Sequence, residues 1–394
     1  MARKPGREEL IERAREVAKL ARREADRAER ERKVSSEVFA AAREAQFFRL
    51  LQPERFGGFE YDFGIIVRIA LEVGQGCASS AWVLDLAMMH QWLVANFPLA
   101  AQEDVWGSEA DAVAFGSYSP ACAAMPVDGG WRISGCWPFA SGCDHGQWAL
   151  LGARFETADN KGPPAIGFVL VPNTDYSIKD DWFTNALAGT GSKSITCNDV
   201  FVPAHRRLML EDAKAGRSPG AHDLDRPLYR LAMFSVIPTA IAGPALGALK
   251  GALGDYVDMA SARKTIAMGS GNAMAGFAAV QSRVAEAAGT LDAATLMILR
   301  DVAEAHAVVE SGAEVPIDMR VRNRLTHGFI LKLAVQGIDA LYGATGATGF
   351  NSGNRIERAW RDIHAISHHI SLNWDAASTL YGKHRLGLDL HGQY

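Results

Sequence analysis

The first thirty residues set apolar side chains at Leu10, Ala14, Val17, Ala21, Ala25 and Ala28, with charges between them. Spacings of three and four put these residues on one stripe, which predicts an amphipathic helix with one buried face. Helical periodicity runs on to about residue 110, broken by a loop at Pro53 and Gly57-Gly58. Apolar helices are expected over 63–73 and 79–96. Between about 112 and 210 the texture changes. Short β-branched and aromatic runs at 131–134, 148–155, 166–171 and 195–202 are bounded by Gly, Pro, Asn and Asp. These predict strands, and Asp128-Gly129-Gly130 predicts a turn between two of them. Long helical patterns return over 239–264, 274–311, 318–346 and 355–381. The chain therefore reads as α+β, mostly α. Its expected units are an N-terminal α-helical domain (1–111), a middle β domain (112–216) and a C-terminal helical bundle (217–394).

Charge changes this picture little. The 394 residues carry 41 basic and 45 acidic side chains, a net charge of −4. That balance gives no reason to expect nucleic acid or an anionic membrane as partner. Residues 1–33 have a local excess of +4, but the signs interleave, with Glu9/Arg13 and Asp26/Arg30 four apart. A solvated helix face explains this better than a nucleic-acid arm. The N-terminal stretch has no apolar run of the secretory type. The apolar segment 236–249 contains Pro238, Gly243, Pro244 and Gly247, short of the roughly 18–20 uninterrupted apolar residues of a spanning helix. A cytoplasmic protein is expected. Five cysteines without a C-x-x-C argue against a disulfide framework and a Cys-rich zinc module.

Several motifs fail on inspection. Residues 74–79 and 189–194 are near misses for G-x-G-x-x-G, and the first follows a helical pattern instead of a strand. There is no P-loop and no E-x-x-H. His364 and His368 are four apart, but spacing supplies no further ligand, so no metal is expected.

Three blocks carry a resemblance. Residues 52–58, with Pro53-Glu54 and Gly57-Gly58, are similar to the P-E-x-x-G-G loop of the acyl-CoA dehydrogenase superfamily. Residues 130–142 resemble its pattern of a short strand followed by N-G-x-K-x-W-I-T-N. Trp360-Arg361-Asp362, after the Gly343–Gly346 turn, resembles its Gly-rich turn and R-D stretch. The order of the blocks matches that superfamily. It implies an N-terminal helical domain, a middle β-barrel domain and a C-terminal four-helix bundle. The dehydrogenases carry a glutamate base in many members shortly after the R-D stretch, and residues 366–375 contain none. The segment His369–Asp375 resembles the flavin-dependent monooxygenase branch instead, which holds the oxygenase components of 4-hydroxyphenylacetate and secosteroid-ring hydroxylases. Residues 140–145, 90–92 and 116–120 resemble the same branch.

That resemblance implies an aromatic hydroxylase using reduced flavin (FADH2 or FMNH2) and O2 through a C4a-hydroperoxyflavin. Its partners would be a small phenolic or indolic substrate and a separate NAD(P)H-flavin reductase, with the chain in a homotetramer. The Ser141 hydroxyl, a short neutral donor and acceptor, would hold the flavin N5 region. His369 would manage the proton of the oxygen adduct. It is chosen over its neighbour His368 from the motif match. His90 would accept a proton from the substrate hydroxyl or N–H, with Ser117 sharing that contact and Trp82 and Trp92 walling the ring. Trp137, Phe139, Ser192, Arg263 and Gly346 would bind the cofactor. The Arg263 motif is degenerate, since residues 266 and 267 replace the family's Phe and Gly. Alternatives are an acyl-CoA dehydrogenase with bound FAD, an N- or S-oxygenating relative, and a non-catalytic or nucleic-acid-binding protein.

Overall fold

The computed structural model describes residues 3–156, 164–265 and 272–394; positions 266 and 267 of the Arg263 motif lie outside them. The N-terminal helices are α1 (Arg7–Glu31), α2 (Ser36–Glu44), α3 (Phe63–Val73), α4 (Ala78–Ala95) and α5 (Leu99–Trp106). The six apolar residues of the first stripe are all buried in α1. Glu8 and Glu9 in its first turn and Arg30 in its last complement the helix dipole. Helix α4 is different. It is apolar on every side and buried along its length, with Leu86 alone half-buried. Such a helix belongs inside the protein, and Leu86 touches both the N-terminal core and the bundle core.

The middle segment forms β1 (Ala114–Val127), β2 (Gly130–Ala140), β3 (Trp148–Phe155), β4 (Ala165–Pro172), β5 (Ser177–Lys179), β6 (Lys193–Pro203) and β7 (Arg207–Met209). They make one sheet in the order β5-β6-β2-β1-β3-β4-β7, antiparallel except for β1 beside β3. Cys122, Ile133, Trp137, Leu151, Val169 and Ile195 pack together as the core of this sheet. Trp148, Leu150, Phe168 and Leu170 join the helical core instead. Alternation along each strand produces the two faces.

The last part holds α6 (Leu210–Ala215), α7 (Pro219–Leu224), α8 (Met233–Ala262), α9 (Ala278–Glu310), α10 (Ile317–Tyr342), α11 (Arg355–Ser367) and α12 (Trp374–Arg385). Helix α8 continues through Pro238 and Pro244. It is long and apolar enough to span a membrane, yet 89% of its apolar window is buried among other helices. The pattern at 355–381 predicts one helix, and the structure shows two. The break is capped: the Asn373 side chain accepts from the Ala376 amide at 3.0 Å, and the Leu372 amide donates to the His369 carbonyl at 2.8 Å. This break carries His369.

Candidate active site

Strand β2 ends in two left-handed residues, Phe139 (φ 64°) and Gly142 (φ 76°), which turn Ser141 toward α4. A side chain at position 142 would run into the Phe115 ring at 2.6 Å, so glycine is required there. Ser141 is buried and accepts a hydrogen bond from Trp82 Nε1 at 3.1 Å. Its hydroxyl lies 2.6 Å from that of Ser192, which lies 2.6 Å from that of Thr190. Thr190 Oγ1 donates to the Leu187 carbonyl at 2.8 Å.

The two ends of this chain fix the direction of every proton in it. Thr190 spends its one hydrogen on Leu187, so it accepts from Ser192. Ser192 therefore accepts from Ser141. Ser141 already accepts from Trp82, and what remains is a single acceptor lone pair. An N–H donor complements it, and N5 of a reduced flavin is one. The residues fit that cofactor's ring edge.

His369 lies on the turn after α11. Its ring meets Trp82 edge-on at 5.6 Å, while His368 is exposed. The structure thus turns His369 inward. Its Nδ1 accepts from the Ser371 amide at 3.2 Å, which leaves the proton on Nε2. Burial, and then the Arg324 cation, lower its pKa to about 4. Arg324 itself is buried on α10 and grips the turn by donating to the Ser371 and Ile370 carbonyls. Burial holds its own pKa down at about 10, still a cation at neutral pH.

His90 lies two helical turns from Trp82 on the same face of α4, about 12 Å along the axis at 1.5 Å per residue. Leu86 stands between them. His90 Nδ1 is 2.7 Å from the Ala114 carbonyl, which accepts its proton and leaves Nε2 as an acceptor. Burial lowers its pKa to about 4, so the ring is neutral. The two imidazoles therefore have opposite polarity at Nε2, His369 as donor and His90 as acceptor. Ser117, nearly buried, follows Ala114 by three residues on β1.

Other expected residues stand elsewhere. Trp92 does not wall the cleft. It is fully buried, donates Nε1–H to the Leu228 carbonyl at 2.8 Å and packs edge-on against Phe63. Two residues on from His90, it faces another side of the helix. Replacing it with alanine is expected to cost about 3–5 kcal/mol of stability, read by denaturant unfolding. Trp137 likewise does not face a cofactor. Its indole is in the sheet core and donates to the Gly152 carbonyl at 2.7 Å. Phe139 is the exposed neighbour, 68% accessible and edge-on to Trp182. Arg263 donates to the Thr345 carbonyl at 2.9 Å, beside Gly346. This pair is a separate site. Helix α8 meets α4 where Gly243 approaches Asp85, and Arg263 lies twenty residues further, about 30 Å along the helix.

The acyl-CoA dehydrogenase N-terminal domain family matches residues 5–109, and the acyl-CoA dehydrogenase C-terminal domain family matches residues 239–374. The chain belongs to the acyl-CoA dehydrogenase family. It is 42% identical over 392 residues to the oxygenase component of FADH(2)-dependent resorcinol hydroxylase from Rhizobium sp. (strain MTP-10005), covering 98% of this chain and 96% of that one. It is 35% identical to the flavin-dependent monooxygenase oxygenase subunit HsaA of Rhodococcus jostii (strain RHA1), covering 91% and 93%. The crystal structure of 3-HSA hydroxylase from Rhodococcus sp. RHA1 superposes with a TM-score of 0.92 at 33% identity, covering 98% of each chain. XiaF from Streptomyces sp., solved in complex with FADH2 and glycerol, superposes at 0.90 with 28% identity and 98% of each chain covered. Within the family the chain is an oxygenase component of the flavin-dependent monooxygenases, using reduced flavin and O2.

In this monooxygenase several site residues escape a reading by motif. Thr190 and Leu187 set the hydroxyl polarity, and only the fold brings them to Ser141. Tyr118 packs its ring 5.7 Å from that of His90, with a hydroxyl that has no partner among the described residues. Asp85, one turn beyond Trp82, is fully buried without a hydrogen-bond partner among the described residues, and burial raises its pKa far above the carboxylate range. The one available signal was a charged residue inside an otherwise apolar helix.

Proposed function

We propose that this monooxygenase hydroxylates the ring of a small phenol with FADH2 supplied by a separate NAD(P)H-dependent reductase in the cytoplasm. One observation carries the reading. His369 offers an N–H donor at Nε2 beside Trp82, and His90 offers a lone pair at Nε2 two turns further along α4. The FADH2-dependent resorcinol hydroxylase and the FADH2 complex of XiaF support the choice of cofactor.

Reduced flavin, when bound, activates dioxygen and provides the oxygen atom that enters the ring. The remaining work falls to this chain. Ser141 accepts from the flavin N–H and keeps that edge in place. His90 takes the phenolic proton at Nε2 and enriches the ring in electrons. His369 would donate a hydrogen bond from its neutral Nε2–H to the departing oxygen and hold it in place while solvent supplies the proton. Buried Trp82 and half-buried Leu86 limit the access of bulk water to the space between them. Phe139 offers an apolar surface to the isoalloxazine. Arg263 and Gly346 would take the phosphates. In a homotetramer they would come from a second copy of the chain.

The test supplies FADH2 from an unrelated reductase and measures hydroxylated product against hydrogen peroxide for phenols and indoles. Product from resorcinol-type phenols, with peroxide alone in their absence, is the expected result. Oxygen consumption that never yields hydroxylated phenol overturns the reading.

A further inference from the structure

Leu187 is the hub on which the hydroxyl chain depends. Its carbonyl receives Thr190 Oγ1 at 2.8 Å, the Thr190 amide at 3.0 Å and Trp182 Nε1 at 3.2 Å. Its backbone is left-handed, with φ 52°, a conformation that is strained for leucine and persists only where its surroundings hold it. What holds it comes from the bundle. The Leu187 amide donates to Asp362 Oδ1 at 2.6 Å. One residue earlier, Arg361 donates to the Asn185 carbonyl. Both arms are braced in turn. Arg361 pairs with Glu357 on α11 at 2.7 Å and with Glu29 on α1 at 2.8 Å. Arg358 pairs with Glu29 at 2.8 Å and also with Asp26. Asp362 is buried on the same helix that ends in the His369 turn.

We infer that Asp362 is a positioning residue for oxygen chemistry: it clasps the 185–192 loop to α11 and so sets Ser141 and His369 in register. The two groups come from different domains, and Trp82 touches both. A rigid bar carrying His369 at one end and gripping the Ser141 relay near the other keeps their separation fixed. Loosening it frees Leu187, lets Thr190 rotate its hydroxyl away, and removes the constraint that leaves Ser141 a pure acceptor. The inference rests on the proposed function above.

The clasp is also titratable. The charged and titratable groups around Asp362 are Arg361, Arg358 and Arg355 on its own helix, Glu29 on α1, the Cys77 thiol ahead of α4 and Asp255 on α8. The Leu187 loop presents only its amide. Burial, partly offset by the Leu187 amide and by Arg361, raises the carboxyl pKa to about 6. Above that pH the bond is charge-assisted, and below it the bond is between neutral groups and weaker. His369 and His90 titrate about two units lower and leave this window clear.

Two measurements on Asp362→Asn and Asp362→Ala test the inference. Amide exchange at 185–192, in the flavin-free protein, should quicken about 5-fold in Asp362→Asn and tenfold or more in Asp362→Ala, following the strength of the lost bond. Product formed per oxygen consumed should fall in the same order, with the KM for phenol unchanged. Wild-type coupling should decline as pH drops through about 6. Asp362→Asn should sit at that low level at every pH from 5 to 8. If Asp362→Ala does not fold, the Asp362→Asn pH profile decides alone. Asp362→Asn coupling that follows the wild type, acid limb included, overturns the inference. Faster exchange with unchanged coupling overturns it too. Failure of the wild type itself to hydroxylate would count against the proposed function, and the exchange measurement would still decide the clasp.

Discussion

Replacing Ser141 with alanine is expected to turn the enzyme into an oxidase, with hydrogen peroxide displacing product by about 100-fold per oxygen consumed. The size follows from removing one preorganised hydrogen-bonding group from a reacting centre, worth roughly 10²–10³ in rate. The hydroxyl relay runs from Trp82 to the Leu187 carbonyl, and Ser141 is the member beside Trp82, with one lone pair free to accept. Alanine deletes that acceptor. It also takes the acceptor from Trp82 Nε1 and the donor from Ser192, which keeps Thr190, so the loss exceeds that of an isolated contact. Affinity for reduced flavin should weaken only a few-fold, because a single neutral hydrogen bond is worth about 1 kcal/mol. Rapid mixing of the reduced-flavin complex with oxygen, followed by peroxide and product assays, separates the two effects. Unchanged coupling would remove Ser141 from the mechanism.

Replacing His90 with alanine should lower kcat/KM for a phenol by about 10²–10⁴ at pH 7, the usual contribution of a positioned general base. The defect should shrink as the pH approaches the phenol's own pKa near ~10, where the substrate ionises without help. In the wild type the sign is set by burial. With the His90 pKa lowered to about 4, Nε2 is free throughout the neutral range, and its function is lost only as pH falls through about 4. Folding feels the same shift. Unfolded imidazole takes a proton near pH 6.5, so this residue's contribution makes the native state less stable as pH falls from about 6.5 to about 4. His90→Ala should flatten that part of the stability curve. A pH-independent defect in kcat/KM would argue for a packing role instead.

Much of the architecture was legible in the chain. The stripe from Leu10 to Ala28 and the turn at Gly129 depend on local spacing, and local spacing is what a sequence displays. Strand β1 was not legible. Its run contains Gly116, Pro120 and four alanines, weak strand formers, and it is extended because β2 and β3 pair with it on both sides. The His368–Asn373 break was hidden for a related reason. An Asn cap and a histidine accepting from a nearby amide end α11 without any glycine or proline to announce it.

The candidate residues divide along the same line. The family resemblance named Ser141, His90 and His369 as candidates, and motif reading excluded a phosphate loop, because these depend on which groups exist and in what order. Three questions were left to the tertiary structure. Trp82 and Trp92 are the same residue type on one helix, and only the packing of α4 puts the first beside Ser141 and commits the second to Leu228. His368 and His369 are neighbours, and only the turn at the end of α11 decides which faces inward. Asp362 lies 175 residues from Leu187, and no spacing rule reaches that far. Sequence determines the chemistry that a side chain can perform. Its direction, its protonation and its partner depend on what is packed against it, and the groups that surround this site come from α1, α4, the 185–192 loop, α10 and α11.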